Sequence, residues 1–135
     1  MTSFYLQIVA PDGKKYAGMA EKILLRTING DVCILERHTD YITALGLGEC
    51  RVTDDKGNVR SAACIGGMLL VTDGMAHVVA SAFEWADEID TDRVEASYQR
   101  ARSILQDKQA TSTDVKLAEA RLRRALVRKN VASMR

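Results

Sequence analysis

The chain is poor in the residue types that build most recognition sites. Aromatic side chains make up 5% of its 135 positions, with a single tryptophan, too few for the exposed ring platform that carbohydrate recognition requires. The cysteines, Cys33, Cys50 and Cys64, are odd in number and stand singly, without Cys-x-x-Cys spacing. That pattern suggests neither a disulfide framework nor a zinc site, and reads as three small core residues in a reducing compartment. Histidine is equally sparse. His38 has Thr39 and Asp40 beside it but no Ser or Cys nucleophile motif, so it reads as a turn residue, and His77 as a residue at the edge of a core. Residues 1–10 lack a basic start followed by an apolar run, and no apolar stretch approaches the ~20 residues that span a bilayer. The expectation is a soluble, unexported protein. Formal net charge is only +1, so no global field advertises nucleic acid.

What is present is a single ordinary core's worth of apolar residues, 47% of the chain, with 27% charged, enough for one compact domain and a small appendage. The near-neutral total hides an asymmetry. Residues up to Thr113 carry 12 Lys and Arg against 16 Asp and Glu, and those from Asp114 onward carry 7 against 2. The basic charge is concentrated in the tail.

From Phe4 to about Ala82 the segments are short and β-type: FYLQIVA, KKYAGM, AEKILLRT, DVCIL, YITALG, ECRVTD, VRSAACI, MLLVTD and AHVVASA. Turn-forming residues punctuate them at Pro11-Asp12-Gly13, Asn29-Gly30, Asp54–Asn58 and Asp73-Gly74. This spacing predicts an all-β sandwich, two sheets face to face, with a hairpin around Asp54–Asn58. Gly66-Gly67 is followed by neither a lysine nor a helix start, so a close approach of strands explains the pair better than a phosphate loop.

After Glu88 the period changes. Val94, Tyr98, Ala101 and Leu105 recur at spacings of four, three and four, predicting an amphipathic helix with Asp90 as N-cap and Asp92 in its first turn. Val115, Ala118, Leu122, Ala125 and Leu126 predict a second helix, capped by Ser112 or Thr113. The polar link DKQATS between them is short enough to force an antiparallel hairpin. The stripes are narrow and Ala-rich, so the hairpin should be weakly held. The expected architecture is therefore an all-β N-terminal sandwich, residues 1–86, followed by an antiparallel α-helical hairpin, residues 87–135. Trp85, within FEWA, reads as a hydrophobic hinge between them.

No catalytic constellation emerges. Asp54-Asp55 and Glu84-Asp87-Glu88 lack the regular spacing of a calcium loop, so no metal ligands are assigned. Arg93 and Arg100 are about 20° apart on the first helix, and Arg121, Arg124 and Arg128 span a sector of about 60° on the second, at ~100° per residue. Solvated helix faces account for both rows. The alternative is a triphosphate or an acidic protein surface, since the guanidinium fork suits phosphate and carboxylate oxygens.

Taken in order, LQIVAPDGKKYAGMAEKILLRTINGDVCIL, HTDYITAL, the Gly66-Gly67 pair before MLLV, and EID leading into a helical hairpin resemble the epsilon subunit of the bacterial F-type ATP synthase, called delta in mitochondria. The resemblance covers nearly the whole chain. It departs where Glu36-Arg37 replaces the family's usual Pro-Gly before His38, which bears on local loop geometry because Pro-Gly sets turn dihedrals. The resemblance implies a noncatalytic rotor component, peripheral on the cytoplasmic face of the cell membrane, touching the membrane only through the c ring. The implied partners are the gamma subunit, the c-subunit ring and the alpha and beta catalytic subunits, with no nucleic acid. It also implies that the hairpin, folded down, permits ATP hydrolysis and, extended, inhibits it. Arg121, Arg123, Arg124, Arg128 and Lys129 would then meet an acidic stretch of a catalytic subunit. No cofactor is required, but some family members bind ATP as a regulatory ligand through an Ile/Leu-Asp-x-x-Arg-Ala motif. Here Ile89, Asp90 and Arg93 match it, Val94 replaces the final Ala, and Glu84, Arg100, Arg124 and Arg128 fall on the assisting positions. Two other classes compete: a ligand-binding β-sandwich with an unrelated basic helical tail, and a nucleic-acid adaptor whose binding would fall steeply with salt.

Overall fold

The computed structural model describes residues 2–134. Seven strands come first: β1 (Phe4–Ala10), β2 (Gly13–Thr27), β3 (Gly30–Leu35), β4 (Tyr41–Asp54), β5 (Val59–Thr72), β6 (Met75–Ala80) and β7 (Phe83–Trp85). A 3-10 turn, Ala86–Glu88, leads to α1 (Thr91–Gln106) and α2 (Ser112–Ala132). The chain divides into two compact units between Trp85 and Ala86.

The first unit is the expected sandwich, built from one continuous sheet. Its strand order is β1-β6-β5-β4-β2-β3, and β1 also pairs with β2, so the path returns on itself. The β1–β6 pair is parallel and the other pairs are antiparallel. Six of the nine expected segments fuse pairwise into β2, β4 and β5, each 14 or 15 residues long. Gly66 and Gly67, with φ of +70° and +127°, lie within β5 without ending it, and Gly67 is the close approach to β6 that the sequence suggested. In the β4–β5 ladder the pairing Leu45↔Gly67 is followed by Leu47↔Ile65, so the strands fold over without losing their pairing, and one ladder serves both layers of the core. Closure protects backbone groups that an open edge would expose.

Alternation decides the core. In β1, Phe4, Leu6 and Ile8 are buried, and in β2 Ile23 and Leu25 are, as period-2 geometry requires. Leu69, Val71, Ala76 and Val78 fill the layer between them. The Asp54–Asn58 hairpin forms as expected: Asp54 accepts hydrogen bonds from the backbone N–H groups of Lys56 and Asn58, both 2.9 Å. Those donors favour the charged carboxylate and hold its pKa below the usual range.

Two expectations need correction here. Cys33 is exposed on β3, while Cys50 and Cys64 are buried; β3 pairs only with β2, at the end of the sheet path, so its outer side meets no second layer. Burial pushes the Cys64 thiol up to about 12 and the Cys50 thiol well above its ordinary value, so both are inert as nucleophiles. The second correction is Trp85. It is no hinge: β7 pairs with β5 through Ala62↔Trp85 and Cys64↔Phe83, and Trp85 and Phe83 belong to the sandwich core.

The substitution at Glu36-Arg37 is answered by the backbone. Arg37 holds φ at +62°, the left-handed region where glycine carries no steric penalty. The turn therefore keeps a glycine-type geometry with a side chain that disfavours it. Arg37→Gly should raise the stability of the sandwich by roughly 0.5–1 kcal/mol, after the entropic cost of a new glycine is subtracted. Thermal melting of the two proteins checks this; an unchanged or lower midpoint would contradict it.

In the second unit, α1 begins where the sequence indicated. Asp90 is its N-cap and accepts from the Arg93 N–H at 3.1 Å. The cap of α2 is Thr111, one residue before the earlier of the two expected positions. Its hydroxyl accepts from Asp114 N, and the Asp114 carboxylate accepts from Thr111 N, a reciprocal capping box. Ser112 and Thr113 lie inside the helix because neither has an acid three residues on to close the box. The helices pack on each other through alanines, with Ala101, Ala118 and Ala125 buried. Leu126 is exposed rather than in the stripe. The α2 seam steps along Ala118, Leu122 and Ala125, and Leu126 lies a further ~100° round from Ala125.

Candidate functional site

Two surfaces stand out, one on each unit. On the sandwich, the outward side of β1, β6, β5 and the first half of β4 carries apolar residues in cross-strand register. Ile42 lies opposite Leu70, and Leu70 opposite His77. In the next row Met68 lies opposite Val79, and Val79 opposite Val9. Ile42, Met68, Leu70, Met75 and Val79 are all exposed. Directly opposed residues share a face with Cβ atoms ~5 Å apart, so these form one contiguous patch. A patch of this kind marks an interaction surface more often than chance exposure does. Its residues were not singled out from sequence. The available signal was MLLV, in which apolar residues occupy both parities; Leu69 and Val71 face the core, which leaves Met68 and Leu70 outside.

On the hairpin, the start of α1 lies against the end of α2. A cavity of about 220 Å³ opens there between Ile89, Thr91 and Val94 on one side and Lys129, Ala132 and Ser133 on the other. At its rim Lys129 Nζ is 2.9 Å from Glu95 Oε2 and 4.1 Å from the centroid of the Tyr98 ring. The other oxygen of Glu95 accepts from Gln99 Nε2 at 3.0 Å. The Gln99 hydrogen bond, then Lys129, lower the Glu95 pKa. Both charges suit their helix ends, an acid in the first turns of α1 and a base in the last turn of α2.

Comparison with known proteins settles the family. The description "ATP synthase, Delta/Epsilon chain, beta-sandwich domain" matches residues 3–86, and "ATP synthase, Delta/Epsilon chain, long alpha-helix domain" matches residues 87–133. The chain belongs to the ATP synthase delta/epsilon chain family. Among its relatives, the ATP synthase epsilon chain of Ruminococcus albus is 37% identical over 134 residues, covering 98% of each chain. That of Bacillus velezensis is 36% identical, again over 98% of each. Among solved structures, a chain of the Euglena gracilis mitochondrial ATP synthase, OSCP/F1/c-ring, superposes with a TM-score of 0.84 at 18% identity, covering all of this chain and 83% of that one. A chain of the Tetrahymena thermophila mitochondrial ATP synthase central stalk/c-ring gives 0.61 at 14% identity, covering 95% of both. The protein is thus a delta/epsilon-type chain of an ATP synthase. Among the described residues no helix is long and apolar enough to cross a membrane, and no cluster of metal-ligating side chains occurs.

The residues that the delta/epsilon family resemblance singles out are placed as follows. Ile89 is buried and lines the hairpin cavity. Asp90 caps α1, and Arg93 and Arg100 are exposed on that helix. On α2, Arg124 and Arg128 are half-buried and Arg121 and Arg123 exposed. Glu84 is half-buried on β7, in the sandwich unit. Val94, which replaces the family's Ala, is buried and forms part of the cavity wall, so its extra methyl groups occupy packed space. Among the described residues lining the cavity, Ile89 and Lys129 come from the two candidate sets, and none of the candidate Arg side chains does.

Proposed function

We propose that the sandwich is the coupling module of the rotor and the hairpin its regulatory module. On this reading the apolar patch of Ile42, Met68, Leu70 and Val79 docks the gamma subunit, and the sandwich passes rotation between the c-subunit ring and the central stalk. Ion-driven rotation is thereby coupled to ATP synthesis at alpha and beta subunits that this chain does not itself contain. The subunit would sit peripherally on the cytoplasmic face of the membrane, reaching it only through the c ring. The single observation that carries this reading is the register of the patch: four strands bring apolar side chains to one outward face, which a monomer has no reason to build.

Leu70→Glu tests it. The side chain points outward, so the fold should keep its stability to within about 0.5 kcal/mol, while a charge in the centre of the interface should weaken the gamma complex at least about tenfold. Co-elution of the mixed proteins in gel filtration reads this. A complex that forms equally well with the variant would place gamma elsewhere.

The regulatory part rests on charge. Arg121 and Arg123 are exposed, on a helix whose basic excess suits an acidic surface of a catalytic subunit. An extended hairpin would carry that surface in and obstruct rotation, a two-state device. ATP is a regulatory ligand of the folded hairpin on this reading, with Arg93, Arg100, Arg124 and Arg128 meeting phosphate charge and Ile89 and Asp90 completing the hairpin's part of the site; calorimetric titration of the intact chain with ATP is the direct check.

A further inference from the structure

The basic residues of α2 are not equivalent. Lys129 has both an ion pair and a ring contact on the opposite helix, with Glu95 at 2.9 Å and Tyr98 at 4.1 Å. Gln99 holds the carboxylate from its other oxygen, so the acceptor is positioned before the lysine arrives. A carboxylate beside an aromatic face is the chemistry that an acidic partner surface would offer an ammonium group.

We propose that Glu95 and Tyr98 form an internal mimic of the acidic partner surface, masking Lys129 while the hairpin is folded. This rests on the reading of the hairpin as an inhibitor and specifies its regulation. The same ammonium cannot serve both sites, so the folded state competes directly with the contact made on extension. Breaking the pair frees Lys129 and removes a tether between the first turns of α1 and the last turn of α2, and both effects favour extension. Arg121 and Arg123, already exposed, need no release and set the baseline of attraction. Because the pair is half-exposed it acts as a bias on the equilibrium, weak enough for a partner to overcome.

The test uses the full-length chain alone and assembled with the catalytic head. Glu95→Gln should make amide hydrogen exchange at the end of α2 about threefold faster and lower ATP hydrolysis by a similar factor. The exchanged pair, Glu95→Lys with Lys129→Glu, should restore slow exchange yet leave inhibition weaker than in the unmodified chain, since the hairpin closes but the exported charge has been reversed. Unchanged exchange in Glu95→Gln would overturn the tether. Faster exchange with unchanged hydrolysis would overturn the masking. A chain ending at Asp87 separates the two levels: if its removal of the hairpin leaves hydrolysis unaltered, the inhibitory reading itself fails, whereas relief by truncation with no effect of Glu95→Gln sinks only the mimic.

Discussion

Gly67→Ala should unfold most of the sandwich population at temperatures where the parent chain is fully native. Gly67 has φ of +127°, and a Cβ built on it would lie 2.1 Å from the carbonyl oxygen of Val79 and 2.8 Å from Ala80 Cα. Both neighbours are backbone atoms of β6, hydrogen-bonded into the same ladder, so neither can swing aside as a side chain would. Backbone strain in a region reserved for glycine and the displacement of a packed strand together cost on the order of 3–5 kcal/mol. That is a large part of the ~5–15 kcal/mol that holds a domain folded. Two controls isolate the cause. Gly57 has φ of +85° with nothing within 4 Å of the added Cβ, and Gly18 has neither a positive φ nor a neighbour. Gly57→Ala should lose only the conformational part, roughly 1–2 kcal/mol, and Gly18→Ala should stay within about 0.5 kcal/mol of the parent. Calorimetric melting of the three variants gives the order directly. Equal losses at 57 and 67 would mean that the β5–β6 approach is looser than its geometry indicates.

Trp85→Ala is expected to destabilise the sandwich by about 3–5 kcal/mol, the usual range for removing a buried large aromatic side chain. The indole is 4% exposed, meets the Phe83 ring edge-on with centroids 5.0 Å apart, and has the Arg60 guanidinium 3.9 Å above its face. Such contacts add to the burial of area. Trp85→Phe should recover much of the loss by refilling the volume in part. As part of the core, its removal lowers the melting temperature of the β unit; an unmoved transition would contradict that placement.

The period of the chain is a local property, and whatever depends on it could be read before any coordinates. The turn residues at Asp54–Asn58 placed the β4–β5 hairpin, and the four-three-four spacing from Val94 placed α1, with Asp90 as its cap. The basic excess after Asp114 is likewise a fact of composition that folding does not alter. Family membership was legible too, because it rests on the order of motifs rather than on contacts. Local signals failed where a partner distant in sequence makes the choice. A glycine pair looks alike whether it ends a strand or lies within it, and only the β4–β5 and β5–β6 registers show that Gly66-Gly67 lies within one. FEWA reads as a linker until β7 finds β5 and carries Trp85 into the core. Cys33, between Val32 and Ile34, has apolar flanks like those of Cys64, between Ala63 and Ile65, yet it takes the solvent side of β3 while Ile34 takes the core side. MLLV could face either way, and strand pairing alone turned Met68 and Leu70 outward beside Val79. Lys129 was one charge in a basic helix until the hairpin brought it against Glu95 and Tyr98. Apart from β7, the sequence by itself determined the element and the tertiary structure decided its neighbour, because hydrogen-bonding period is set by adjacent residues whereas burial and ion pairing are set by which surfaces the folded chain presses together.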